Sequence, residues 1–168
     1  SISLATGLCK ARDVLKGKWN VVALIGDGSL SGGEALEGLN VAGSGIKSNL
    51  IIIVNDNQQS ISETHGGLYK NLEELRNSNG KSEHNIFKDF GLDYVYEKNG
   101  NDIGSLIEVF KKVKDIDHPV VVHINTLKGK GYDRAVANKE AWHWTTPFNR
   151  ETGEKLFVGG RNYVSIAR

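Results

Sequence analysis

Methionine is missing altogether from these 168 residues, and cysteine occurs once, as Cys9. A single thiol excludes an intrachain disulfide and fits a reducing compartment. Cys9 falls on a predicted helix, where it reads as a small core residue. An excess of one charge is also missing. The net charge is +1, which gives no electrostatic footprint for nucleic acid or another polyanion. Long hydrophobic runs are absent: stretches such as Leu50–Val54 stay far below the ~20 residues of a membrane span. No signal-peptide pattern opens the chain. There is no zinc-ligand spacing and no GxSxG nucleophile elbow. The reading is a cytoplasmic chain with no membrane or nucleic-acid partner. The missing initiator methionine, and an amphipathic pattern running from the first residues, lead us to expect a fragment.

The length allows one domain with a real core. Ile2, Ala5, Leu8, Ala11, Val14 and Leu15 recur at helical spacing, and Gly17 ends that helix. Val21–Ile25 is a continuous apolar run, as expected for a strand covered on both faces. Ser31 and Glu34 form a capping-box pattern opening a helix to about Ala42, with Gly43 and Gly45 as stops. Leu50–Val54 is a second buried strand. A short helix is expected around Leu68–Arg76, then a loop over residues 77–82, a short helix ended by Gly91, and a strand at Tyr94–Tyr96. Asp102 caps a helix carrying Ile103, Leu106, Ile107, Phe110 and Val113, and Lys111, Lys112 and Lys114 suit its C-terminal dipole. Val120–Ile124 is a fourth strand. Strands alternate with helices, so the class is α/β: a mainly parallel sheet with helices on both faces. Ligands of such sheets bind at the carboxyl ends of the strands.

Two polar pieces fall at such ends. Ile25-Gly26-Asp27-Gly28-Ser29 closes the first strand, and Asn55-Asp56-Asn57-Gln58-Gln59-Ser60 closes the second. A hard divalent cation such as Mg2+ takes oxygen ligands. Asp27 offers a carboxylate, Asn57 an amide oxygen and Gln59 a backbone carbonyl. Gly26 and Gly28 let the backbone approach a phosphate closely. The N–H groups of Gly28 and Ser29, ahead of the helix over 31–42, suit an anionic diphosphate. Two unrelated turns would use the same residue types, and Asp27 alone would serve as an ordinary helix cap. After the last strand, Thr126-Leu127-Lys128-Gly129-Lys130-Gly131-Tyr132 places small residues, two cations and an aromatic ring together. Lys128 and Lys130 suit phosphate contacts as point charges. Of the five histidines, His123 reads as a core residue of a strand, and His84 and His118 as surface or capping groups. His65, beside Gly66-Gly67, lies at a site edge. His143, between Trp142 and Trp144, fits either proton transfer or simple packing.

The spacing of GDG and NDN resembles the thiamine-diphosphate signature. Together with HINTLKGKGY and the Trp-His pair, residues 1–150 resemble the 1-deoxy-D-xylulose-5-phosphate synthase family, and more broadly the transketolases. The resemblance implies a thiamine-diphosphate-binding fold, with a diphosphate-binding domain over 1–150 and a linker or following segment over 151–168. It implies Mg2+ held by Asp27, Asn57 and Gln59, and thiamine diphosphate held by Gly26, Gly28, Ser29, Asn57, Ser60, Ile61 and Tyr132. Lys128 and His143 match groups on the substrate side. The implied reaction condenses pyruvate with glyceraldehyde 3-phosphate with loss of CO2, in a homodimer. The chain departs from the family pattern in three places. The stretch between NDN and the next strand is short, Tyr132-Asp133-Arg134-Ala135-Val136 replaces the family's Tyr-Glu-Pro-Ala-Glu, and no pyrimidine-binding domain is present. The alternatives are a transketolase-like enzyme, split between subunits, that transfers two carbons between sugar phosphates, and a non-catalytic binding module. A Rossmann dinucleotide site is excluded, since GDGSLSGG rather than GxGxxG follows the first strand.

Overall fold

The computed structural model describes residues 1–156. They fall into two compact units, Ser1–Leu127 and a second beginning at Lys128.

The first unit is built on four strands: β1 (Val21–Gly26), β2 (Leu50–Asp56), β3 (Asp93–Glu97) and β4 (Pro119–Asn125). All pair in parallel, in the order β1-β2-β4-β3. The helices are α1 (Ile2–Val14), α2 (Asp27–Leu30), α3 (Gly33–Ala42), α4 (Gly67–Asn77), α5 (Ile86–Asp89) and α6 (Ile103–Val113). Parallel neighbours require crossover connections, and these helices supply them.

Alternate strand residues feed two cores. Val21, Ala23, Ile25, Leu50, Ile52, Val54 and Val121 pack with α1, α3, α4 and Phe87 on one face. Ile51, Val120, Val122 and Ile124 pack with Val109 and Val113 of α6 on the other. Fully buried side chains such as Leu39, Leu72, Leu75 and Phe87 each contribute about 1.5–3 kcal/mol by leaving water.

The expected α/β class with a parallel sheet and helices on both faces is what forms. Four local expectations are corrected. β1 is not covered on both faces: Val22 and Leu24 are 52% and 62% exposed, because α6 packs over the β2-β4-β3 side and β1 is an outer strand. α1 buries Ile2, Ala5, Thr6, Cys9 and Arg12, and leaves Leu8, Val14 and Leu15 in solvent. Arg12 can occupy the buried stripe because its guanidinium is well partnered. It donates to the carbonyls of Trp19 (2.9 Å) and Asn49 (3.0 Å) and bonds Asp13 and Ser48. The capping box does not form. Residues 27–30 make their own short helix α2, and α3 is N-capped by Gly32 without a side-chain bond. Ser31 Oγ instead donates to the Gly28 carbonyl at 3.1 Å. On α6 the Asp102 cap is made, its carboxylate accepting from Ser105 N–H at 2.7 Å, but Val109 rather than Ile103 or Ile107 faces the core.

The second unit carries α7 (Asp133–Ala137), which the sequence reading did not anticipate, and an antiparallel bridge between Phe148 and Lys155.

His118 links the approach to β4 with the start of β3, Nδ1 lying 2.9 Å from Asp117 and Nε2 2.7 Å from Asp93. The Asp117 bond first, and the Asp93 bond next, hold its imidazolium, so its pKa lies above the usual 6.5. A histidine raised in the fold adds stability that is fully present below its unfolded value and lost as pH rises through its folded value. His118→Gln is therefore expected to lower Tm below about pH 6.5 and to converge with the parent at alkaline pH in thermal melts. The effect should stay under about 1 kcal/mol, since the pair is solvent-screened.

Candidate functional site

Parallel pairing brings the polar strand ends to one edge of the sheet. Gly26 of β1 is in register with Asn55 of β2, and Asp56 with Asn125 of β4. Thr126 secures this edge: its N–H donates to the Asp56 carbonyl at 2.9 Å and its Oγ1 to Asn55 Oδ1 at 2.6 Å. Asn55 Oδ1 is thereby occupied.

Asp27 opens α2 and is 2% exposed. Its Oδ2 is buried and accepts no hydrogen bond from the described residues. Burial first, and the negative charge of Asp56 second, push its carboxyl above the usual carboxylate range. The N–H groups of Gly28 and Gln58 pull it back by favouring the charged form. Gln59 Oε1 is a second buried oxygen with no partner among the described residues. Asn57 Oδ1 accepts from Gln59 N–H at 3.1 Å, which fixes the amide and leaves its second lone pair. The GDG and NDNQQS segments touch directly: a Cβ on Gly28 would lie 2.9 Å from both Cβ and Oγ of Ser60. Glycine is needed at 28 for this approach. Ile61 stands 62% exposed beside it, and His65 is also exposed.

Among the described residues no group of three His, Cys, Asp or Glu side chains is placed to hold a metal. A cation here would depend on Asp27 together with amide and backbone oxygens, a hard donor set that suits Mg2+. The unpartnered Asp27 oxygen fits that group, whereas the unpartnered Gln59 oxygen is the side-chain Oε1 and not the backbone carbonyl expected as a ligand.

Next to Asp27 the structure reveals a network that the sequence reading missed. Asp56, wholly buried at the end of β2, places Oδ2 on Arg76 Nη1 of α4 and 2.9 Å from His123 Nε2. Its Oδ1 accepts from Gln58 N–H at 3.1 Å. His123 Nδ1 lies 2.8 Å from the Tyr94 hydroxyl, and Tyr94 stacks on Phe87 at 5.6 Å. Lone-pair accounting puts the His123 hydrogen on Nε2, so that Tyr94 donates to Nδ1. Burial pushes the Asp56 carboxyl up, but the hydrogen bond from His123 and the Arg76 guanidinium outweigh it, and the net direction is down. Tyr94 is raised by burial and keeps its proton. His123 is thus a satisfied core histidine. The only sequence clue to the network was an acid closing an otherwise apolar strand.

In the second unit, Lys128 Nζ lies 2.7 Å from His143 Nδ1. Tyr132, Trp142 and Phe148 form a three-ring cluster with centroids 4.7–5.5 Å apart, and the Tyr132 hydroxyl is buried without a partner among the described residues.

A family model described as 1-deoxy-D-xylulose-5-phosphate synthase matches residues 1–84 and 79–126. The 1-deoxy-D-xylulose-5-phosphate synthase of Clostridium beijerinckii is 40% identical over 189 residues, covering 92% of this chain and 30% of that protein. That of Clostridium kluyveri is 38% identical over 202 residues, covering 99% of this chain and 32% of its own length. A solved structure from Mycobacterium smegmatis, of a protein assigned as a thiamin diphosphate-dependent enzyme, superimposes with a TM-score of 0.55 at 20% identity, over 75% of this chain and 21% of that one. The last likeness concerns the fold alone. The chain belongs to the 1-deoxy-D-xylulose-5-phosphate synthase family, and it spans about a third of the length of the curated relatives it matches.

A carboxyl raised by burial penalises the fold above its folded pKa, and the penalty is relieved as pH falls through that value. In EDTA at neutral pH, Asp27→Asn is therefore expected to stabilise the chain by about 1 kcal/mol, or roughly 2–4 °C in Tm. The gain should shrink toward acid pH in the same melts.

Proposed function

We propose that this chain is the diphosphate-binding part of a 1-deoxy-D-xylulose-5-phosphate synthase that uses thiamine diphosphate and Mg2+. The reaction joins pyruvate to glyceraldehyde 3-phosphate with loss of CO2 and feeds isoprenoid-precursor synthesis. The observation that carries this reading is the buried, unpartnered Asp27 Oδ2 at the carboxyl end of β1, in a chain of this family. Residues 1–150 are read as the diphosphate-binding domain and 151–168 as a connection. Within that last stretch only residues up to 156 are among those described.

In this reading Asp27, Asn57 and Gln59 hold Mg2+. Gly26, Gly28, Ser29, Asn57, Ser60, Ile61 and Tyr132 hold the cofactor. Thiamine diphosphate, when bound, supplies the electron sink that lets a carboxylate leave as CO2. The chain's own part is to bind and orient. Lysine has hydrogens to donate and no lone pair, so Lys128 donates to His143 Nδ1, which puts the imidazole hydrogen on Nε2. That nitrogen then serves as a donor to a phosphate or hydroxyl oxygen of the substrates. The pyrimidine-binding part comes from outside these residues, and the assembled enzyme is a cytoplasmic homodimer. Alone, the 168-residue chain is expected to be inactive.

Calorimetric titration of thiamine diphosphate into the full-length protein, with Mg2+ and then with EDTA, tests the reading. Saturable binding that vanishes in EDTA is expected. Asp27→Ala should weaken it by at least about tenfold, or 1.4 kcal/mol. Absence of binding in the intact protein, or unchanged binding in Asp27→Ala, overturns it.

A further inference from the structure

The Asp56 network does more than satisfy a buried acid. Gln58 adopts φ +66°, a left-handed conformation that a residue with a Cβ avoids. Its N–H is held in that conformation by Asp56 Oδ1 at 3.1 Å. The turn so made sets the next amide, Gln59 N–H, on Asn57 Oδ1. Asp56 itself cannot swing away. Its Oδ2 is pinned by Arg76 from α4 and by His123 from β4, and His123 is packed edge-on against Tyr96 at 5.1 Å. Both Asp56 oxygens therefore face donors only, which an amide at this position cannot match.

We propose that Asp56, clamped by Arg76 and His123, is a positioning residue that fixes the left-handed turn at Gln58 and so presents Asn57 and Gln59 to a divalent cation held by Asp27. This rests on the cofactor reading above for the identity of the cation site, but not for the turn itself. The Asp56 carboxylate is taken up by Arg76, His123 and the Gln58 N–H. It acts through the backbone of the loop, and α4 and β4 thereby determine the shape of a loop to which neither belongs.

The test is Mn2+ binding followed by electron paramagnetic resonance, in the full-length protein with thiamine diphosphate. Asp56→Asn should weaken Mn2+ affinity by about tenfold or more, the effect typical of losing an outer partner of a metal site. Glycine takes φ > 0 without assistance, so Asp56→Asn combined with Gln58→Gly should recover to within about threefold of the parent. A role limited to global stability would not be rescued in affinity by a glycine in the loop. Unchanged affinity in Asp56→Asn, or failure of the glycine to rescue it, overturns the proposal. Should Asp56→Asn not fold, hydrogen exchange of the Gln58 amide in Asp27→Ala, in EDTA, decides the matter. Protection retained means Asp56 anchors the turn, and protection lost means it does not. That measurement also stands if the parent protein binds no Mn2+, an outcome that would defeat the cofactor reading instead.

Discussion

A carboxylate buried in an apolar sheet has to be paired, and Asp56 is that carboxylate. Leaving one uncompensated costs several kcal/mol. The cost is avoided here by bringing Arg76 from α4 and His123 from β4 onto a single oxygen. Those two contacts tie α4 and β4 to the end of β2. They also free the other oxygen to shape the loop that follows. Asp27 sits a short way off in the opposite condition, buried with an oxygen that none of the described residues serves. One acid is satisfied from within and the other is not, and their repulsion sharpens the contrast. This pairing of a closed acid with an open one defines the site.

The elements of the fold were legible because each strand is a short apolar run ended by glycine or a polar residue, with helical periodicity between. Strand order and the outer position of β1 were not legible, since apolar content does not report which neighbour covers a face. The burial of α1 was misread for a similar reason. Leu8, Val14 and Leu15 look like a core stripe, yet Arg12 takes the inner position because backbone carbonyls from two other segments satisfy it. Asp27, Gly28 and Asn57 stood out because GDG and NDN close two successive apolar runs, although each residue type alone is ordinary in a turn. Arg76 and His123 did not, because they lie 20 and 67 residues from Asp56 and carry no local signature.

The second unit contributes its own small order. Tyr132, Trp142 and Phe148 pack on one another, and α7 breaks the line between the Lys/Gly loop and the Trp-His pair. The sequence reading treated the segment as a loop with attached motifs. Three rings in mutual edge and tilted contact give it a core of its own. They also hold the Tyr132 hydroxyl in a buried position, which an extended loop would not do.

The half-covered β1 has a consequence for the molecule in bulk solution. Its outer edge presents an unpaired backbone ladder among the described residues, and Val22 and Leu24 sit on the bare face beside it. A parallel strand with an open edge and an apolar flank is a template for adding further strands. With a net charge of +1 there is little long-range repulsion to keep copies apart. Among the described residues, an open strand edge with an apolar flank thus lies one strand away from the buried acid that closes β2.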